Sequence, residues 1–296
     1  MENTSVYPSH TTSEKDASLG DYLSLLKPRV MSLVIFTSFI GLYIAPGYIH
    51  PVIAIFAIAC ITLASGASGA INMWYDRDID AIMERTNSRP IPQGRIHPKE
   101  ALHLGLFLSF LSVSLMGLLV NVLSASILAF AIFFYIVIYT MWLKRRTAQN
   151  IVIGGAAGAL PPLIGWAAVT NSISLEPIIL FLIIFIWTPP HFWALALHTS
   201  EDYAKANIPM MPIVAGHKST KIQIFIYTIL LVMISVVPYL MKISGKYYLS
   251  IAILSGAIFL YYSFKIFKSA SHYKKTFKYS ILYLFIIFSF LAFDKI

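Results

Sequence analysis

The chain has 296 residues, of which 58% are hydrophobic and 12% charged, with a mean hydropathy of +0.74. A soluble globular chain carries about 25% charged residues, so this composition excludes a water-soluble fold and indicates an integral membrane protein. The formal net charge of +9 does not imply a nucleic-acid partner, because the lysines and arginines of membrane proteins gather on cytoplasmic loops and at anionic headgroups.

Residues 1–20 are polar and lack the apolar core of a cleavable signal peptide. They read as a surface tail ahead of a single transmembrane domain over 21–296. Beyond the tail, apolar runs bounded by charge, proline or glycine predict an all-α membrane protein with nine transmembrane helices. These lie at about 29–46, 51–72, 99–120, 123–143, 150–169, 175–198, 221–241, 247–267 and 278–294. The single cysteine, Cys60, falls inside the second run, which excludes an intrachain disulfide and any CxxC metal site.

Alternate loops sort cleanly by charge. Of the 22 Lys and Arg residues, only Lys242, Lys246 and Lys295 fall on one side of this nine-helix arrangement. The positive-inside bias then predicts a cytoplasmic N-terminus and an outside C-terminus in a cell membrane. The loops on the other side are short, so chemistry is expected on the cytoplasmic face, between loops 2–3 and 6–7.

The second helix ends in Asn72, Asp76 and Asp80, spaced i, i+4, i+8. If the helix continues, these side chains form a stripe of oxygen ligands on one face, with Asp78 nearly opposite. Such a stripe suits Mg²⁺, a hard cation that takes carboxylates and substrate phosphate. Arg77, Arg85 and Arg89 follow, and guanidinium groups grip phosphate oxygens. The alternative is a solvated helix end. The fourth helix ends at Tyr139 and the basic run Lys144, Arg145, Arg146, which reads either as membrane anchoring or as charge facing a diphosphate. Gly154 and Gly158 fit close helix packing, and Pro161-Pro162 would kink their helix. The sixth helix carries Trp187-Thr-Pro189-Pro190-His191 and closes on His198, Glu201, Asp202 and Tyr203. His191, His198 and Asp202 are spaced to share one face. A histidine among aromatics at a Pro-Pro break either lines a large apolar cavity, contacts haem iron with His103 as a conceivable partner, or packs against a freed carbonyl. Two acid-ended helices four spans apart hint at a duplicated four-helix unit followed by a ninth helix.

The segments KPRVMSLV (27–34), NMWYDRDIDAIMERTNSRPIPQGRI (72–96), KRRTAQNIVIGGAAGALPPLIGW (144–166) and WTPPHFWALALHTSEDYAKANIPMMPIV (187–214) resemble the UbiA-type superfamily of intramembrane prenyltransferases. The TPPHFWALALH stretch resembles its haem-farnesylating branch. In layout the resemblance runs from Tyr22 to Ile296. It implies nine helices around a central cavity open to lipid, farnesyl diphosphate and haem b as substrates, Mg²⁺ as cofactor and haem O as product. Asn72, Asp76 and Asp80 match the motif that holds metal and diphosphate in that superfamily, and Lys144 and Arg145 match its basic segment. Quinone-type members have two well-spaced aspartates in a second motif, of which only Asp202 is matched here, with Glu201 beside it. The expected catalytic set is therefore Asn72, Asp76, Asp80, Lys144, Arg145 and Asp202, with Asn72, Asp76, Asp80 and Asp202 as metal ligands. The expected substrate-binding set is Lys27, Arg29, Arg77, Arg85, Arg89, Tyr139, His191, His198 and Tyr203. Membrane lipid is an expected partner, and a haem A synthase a candidate one. A quinone-precursor prenyltransferase, a haem-b electron-transfer protein and a secondary transporter are the alternatives. The last would place its polar groups near mid-membrane.

Overall fold

The computed structural model describes residues 17–296, and among these the only regular elements are helices. Most of the 1–20 tail lies outside the described residues. Its last part already belongs to helix α1 (Leu19–Leu25), whose N-cap Ser18 forms a capping box with Asp21. The chain then turns at Lys27, which has a left-handed backbone (φ 55°), into α2 (Pro28–Ile44).

The first half continues with α3 (Pro51–Tyr75), the six-residue α4 (Arg77–Ile82), α5 (Pro98–Leu119), and α6 (Val122–Phe133) running on into a ten-residue π-helix (Phe134–Leu143). The second half repeats this succession. It has α7 (Asn150–Ala159) with α8 (Pro161–Thr170), the long α9 (Leu175–His198) with the six-residue α10 (Ser200–Lys205), a short α11 (Met211–Val214), α12 (Gly216–Leu240) and α13 (Lys246–Lys265). Helix α14 (Ser271–Phe293) stands outside the repeat. The hint of a duplicated unit is thus matched at the level of element order.

Local chemistry explains the helix starts. Pro28, Pro51, Pro98 and Pro161 each stand at the first helical positions, where a missing N–H costs nothing. The side chains of His50, His97 and Asn121 cap α3, α5 and α6 by accepting from Val52, Lys99 and Ser124 N–H. Eight helical stretches are long and apolar enough to span a bilayer, and a ninth results if α1 and α2, bent by 54°, count as one. Alone, α2 has 17 residues, about 25 Å, slightly short of a hydrocarbon core. Helices α12 and α14 begin before the expected 221 and 278, because each extends as helix through a polar turn (His217–Thr220; His272–Thr276).

Two proline pairs behave differently. Pro161-Pro162 divide one span into α7 and α8. Pro189-Pro190 do not break α9, which stays helical from Leu175 to His198. The segment Trp187–His191 is buried throughout, and packed neighbours stabilise a proline-bearing membrane helix. Helix α9 packs on α7, α8, α12 and α14, and α3 packs on α2, α5 and the π-helix. These two helices, both ending in acids, form the centres of the two halves.

Candidate active site

Helix α3 ends at Tyr75, yet the chain keeps a helical course through Asp76. The Asp76 N–H donates to Asn72 O at 2.9 Å and the Asp80 N–H to Asp76 O at 2.8 Å. Asn72, Asp76 and Asp80 therefore stay in register, with exposures of 4%, 0% and 2%. The Asp78 side chain is 60% exposed, on the opposite side, as the spacing requires.

Charged groups from three other segments close on this stripe. Lys144, one residue past the π-helix, pairs with Asp76 Oδ2. Lys27, from the bend between α1 and α2, donates to Asn72 Oδ1. Asn72 Nδ2 in turn donates to Asp76 Oδ2 at 2.8 Å and to Thr140 Oγ1 at 3.1 Å, so the amide orientation is fixed by its partners. Arg89 comes back from the loop after α4 to pair with Asp80 Oδ2 at 2.6 Å. Arg145 forms a two-pronged pair with Asp78, both contacts 2.7 Å, and lies 4.9 Å over the Tyr75 ring. This pair holds the exposed Asp78 carboxyl below its usual range, mainly through the hydrogen bonds from Arg145.

Cations outnumber carboxylates in this cluster: Lys27, Arg89, Lys144 and Arg145 face Asp76, Asp78 and Asp80. Asp76 Oδ1 is buried with no hydrogen-bond partner; Arg145 Nη2 is 3.5 Å away. A buried carboxylate oxygen left without a donor is costly, and its lone pairs are available to a ligand. An oxygen-only donor set with an unpartnered oxygen fits a hard divalent cation, and the excess of cations fits an anion beside it.

The π-helix shapes one wall. Its i→i+5 bonding, seen where Lys144 N–H donates to Tyr139 O at 2.9 Å, brings Tyr139, Thr140 and Lys144 to the site together. Tyr135 and Tyr139 pack ring to ring at 5.5 Å. Gly154 on α7 admits the Tyr139 ring, since a Cβ there would lie 2.2 Å from Tyr139 Cδ2. Gly158 has nothing within 4 Å, so the expected packing role holds for Gly154 and not for Gly158, which faces open space.

The second acidic segment is arranged differently. Helix α9 stops at Thr199, and Asp202 on α10 accepts from the Glu84 and Arg85 N–H groups at 3.4 and 3.3 Å. Lys205 pairs with Glu84 at 2.9 Å. These contacts tie α10 to the loop after α4 beside a cavity of about 460 Å³ lined in part by His198, Glu201, Asp202 and His217. Tyr203 is buried in the same apolar cluster as Ile79 and Met83. Among the described residues no three His, Cys, Asp or Glu side chains cluster together, and Asp202 contacts the loop after α4 through the Glu84 and Arg85 N–H groups. Arg29 and Arg85 are exposed, and Arg77 donates to Trp74 O at 2.8 Å; the structure leaves all three outside the Asp76–Asp80 network. His191 is buried between Trp187 and Phe277, whereas His198, the last residue of α9, is exposed. His103 is exposed on α5, which packs on α3 and α6 rather than on α9, so no facing histidine pair forms. Sequence reasoning missed Thr140, Tyr135 and Ser280. Their signal was weak, since a lone hydroxyl in an apolar helix commonly bonds its own backbone.

A family model described as the UbiA prenyltransferase family matches residues 34–290. The chain belongs to the UbiA prenyltransferase family. Within reach of that family, the curated relatives are close. Protoheme IX farnesyltransferase 2 of Mesorhizobium japonicum is 60% identical over 280 residues, covering 93% of this chain and 89% of the relative. Protoheme IX farnesyltransferase of Parvibaculum lavamentivorans is 56% identical over 284 residues, covering 94% and 89%. Among solved structures, a digeranylgeranylglyceryl phosphate synthase superposes with a TM-score of 0.77 at 22% identity, over 93% of this chain and 98% of that one. A UbiA homologue from Archaeoglobus fulgidus bound to GPP and Mg²⁺ superposes with a TM-score of 0.67 at 18% identity, over 92% and 99%. These two establish the shared UbiA fold, a multi-pass membrane architecture.

Proposed function

We propose that the chain transfers the farnesyl group of farnesyl diphosphate to a vinyl group of haem b, giving haem O and diphosphate. Relatives named protoheme IX farnesyltransferase, alike over nearly the whole chain, support the substrate pair. The structural observation that carries the reading is the buried Asp76 carboxylate with an unpartnered oxygen amid four cations. It sits where an apolar helix meets a polar loop, and a prenyl diphosphate has that same division into apolar tail and anionic head.

Asn72, Asp76 and Asp80 would hold Mg²⁺, which supplies positive charge against the departing diphosphate when bound. Lys27, Lys144 and Arg89 bind the diphosphate oxygens, and their charge counts for more in this water-poor site than in bulk solvent. Asp76, Asn72 and Thr140 orient Lys144 and Lys27, so these donors need no reorganisation as charge develops on the leaving group. Asp202 holds the Glu84–Arg85 backbone and, with Lys205, fixes the loop that delivers Arg89 to Asp80. Tyr139, packed against Gly154, walls the site and helps exclude water from the allylic carbon. The vinyl group attacks C1 of the farnesyl chain as the C1–oxygen bond breaks. Water then adds to the resulting cation and loses a proton, giving a hydroxyethylfarnesyl side chain.

The charge bias of the loops supports a cytoplasmic N-terminus, an outside C-terminus and a site facing the cytoplasm. A haem A synthase is the partner class that would take the product. Conversion of haem b and farnesyl diphosphate by the purified chain, read by mass spectrometry, tests the reading. An alternative acceptor such as a quinone precursor would give a prenylated product with no haem O.

A further inference from the structure

His191 is held on three sides. Its ring stacks on Trp187 at 4.2 Å with 19° between planes and on Phe277 at 4.7 Å with 29°. Phe192 meets it edge-on at 5.0 Å. Nδ1 lies 2.7 Å from Ser280 Oγ. The same Oγ lies 2.6 Å from Phe277 O, a separation at which two oxygens need a proton between them. A carbonyl cannot supply that proton, so the single hydroxyl hydrogen of Ser280 goes to Phe277 O. Ser280 Oγ must then accept from His191, which places the imidazole proton on Nδ1. Nε2 is left as a lone pair. Among the described residues it has no hydrogen-bond partner, and it is not among the atoms sealed from open space.

A histidine that merely packs would be expected to satisfy both nitrogens or to bury the free one. This one presents a basic nitrogen from a clamped ring while its other nitrogen donates to the protein. That is the arrangement by which an imidazole ligates a metal, the outer hydrogen bond fixing the tautomer and raising basicity. Trp187 Nε1 also donates to Ser280 O at 2.7 Å, so the α9–α14 contact that places Ser280 survives loss of its hydroxyl. His191 lies seven residues before the end of α9, about 10 Å along the helix axis, whereas Asp76 directly follows the end of α3.

We propose that Ser280 is a positioning residue that locks His191 in the Nδ1–H tautomer, so that Nε2 binds the iron of the haem acceptor. The proposal rests on haem b being the acceptor.

The test uses the full chain purified in detergent and titrated with ferrous haem b. Ligation is read by visible absorption and the iron–histidine stretch in resonance Raman spectra, with haem O formation followed in parallel. The wild type should show the stretch. His191→Ala should lose it, and free imidazole should restore it. Ser280→Ala should weaken haem binding roughly tenfold or more, the scale of a lost outer partner of a metal-bound histidine, and move the stretch to lower frequency. Ser280→Thr should recover both. Should His191→Ala fail to fold, the Ser280 pair decides the matter. Persistence of the stretch in His191→Ala, or unchanged affinity and frequency in Ser280→Ala, overturns the proposal. Wild type that makes haem O without a histidine-ligated spectrum overturns it while leaving the function standing. Wild type that neither binds haem nor makes haem O overturns the functional reading and this proposal with it.

Discussion

Replacing Asp76 by Asn removes one negative charge with almost no change in shape, at a position with no exposure to solvent. Two consequences follow from its contacts. Lys144, whose side chain is 17% exposed, loses its counter-ion, and removing one partner of a buried pair costs about 3–5 kcal/mol of stability; the residual exposure of Lys144 favours the lower end. On the proposed reading the site also loses an anionic metal ligand and the group that aims Lys144 at the diphosphate. Deleting one preorganised electrostatic group lowers turnover by about 10²–10³-fold. Because that group acts mainly on the developing charge, kcat and kcat/KM should fall together. Asp80→Asn should behave similarly, since it frees Arg89. Asp78→Asn breaks only an exposed pair with Arg145, worth about 1 kcal/mol or less, and should leave turnover within about fivefold. The assay is haem O formation at saturating and limiting Mg²⁺, with thermal denaturation of each variant to separate folding from turnover. A silent Asp76→Asn beside a severely impaired Asp78→Asn would refute the assignment of the buried face.

The other predictions concern packing, the loop latch and topology. Gly154→Ala drives a methyl into the Tyr139 ring and should cost about 1–3 kcal/mol with reduced activity, whereas Gly158→Ala meets nothing within 4 Å and should leave the melting temperature unchanged or slightly raised. Asp202→Ala should speed amide hydrogen exchange at Glu84 and Arg85, whose N–H groups it accepts; unchanged exchange there with a selective loss of Mg²⁺ response would return Asp202 to the metal. A reporter fused after Ile296 should be active on the outer side of the membrane, and cytoplasmic activity would contradict the nine-span topology.

Much of this was legible in the sequence because membrane helices carry strong signals. The spans emerged from apolar length, and the buried stripe from a spacing of four that the chain maintains across the end of α3. Charge identified Lys144 and Arg89, but it could not divide partners. Arg145 serves mainly Asp78, Arg77 donates to the Trp74 carbonyl, and Arg85 contributes its backbone N–H. Those choices depend on where loops return in space. The π-helix was invisible, because one extra residue per turn leaves no compositional trace in an apolar run, and Thr140 went with it. Pro189-Pro190 misled because a proline pair breaks a helix in water, whereas α9 is stabilised by its packed neighbours. The sequence also could not show that the Asp202 carboxylate accepts from two backbone N–H groups of the loop after α4, because that contact joins residues more than a hundred positions apart.

The most direct measurement incubates the detergent-purified chain with farnesyl diphosphate, ferrous haem b and Mg²⁺ and looks for product by mass spectrometry. The account predicts haem O, heavier than haem b by one farnesyl group and one water's hydroxyl, with diphosphate released in equal amount. Diphosphate release without any farnesylated haem, or a farnesylated quinone precursor formed in preference to haem O under competition, would contradict it.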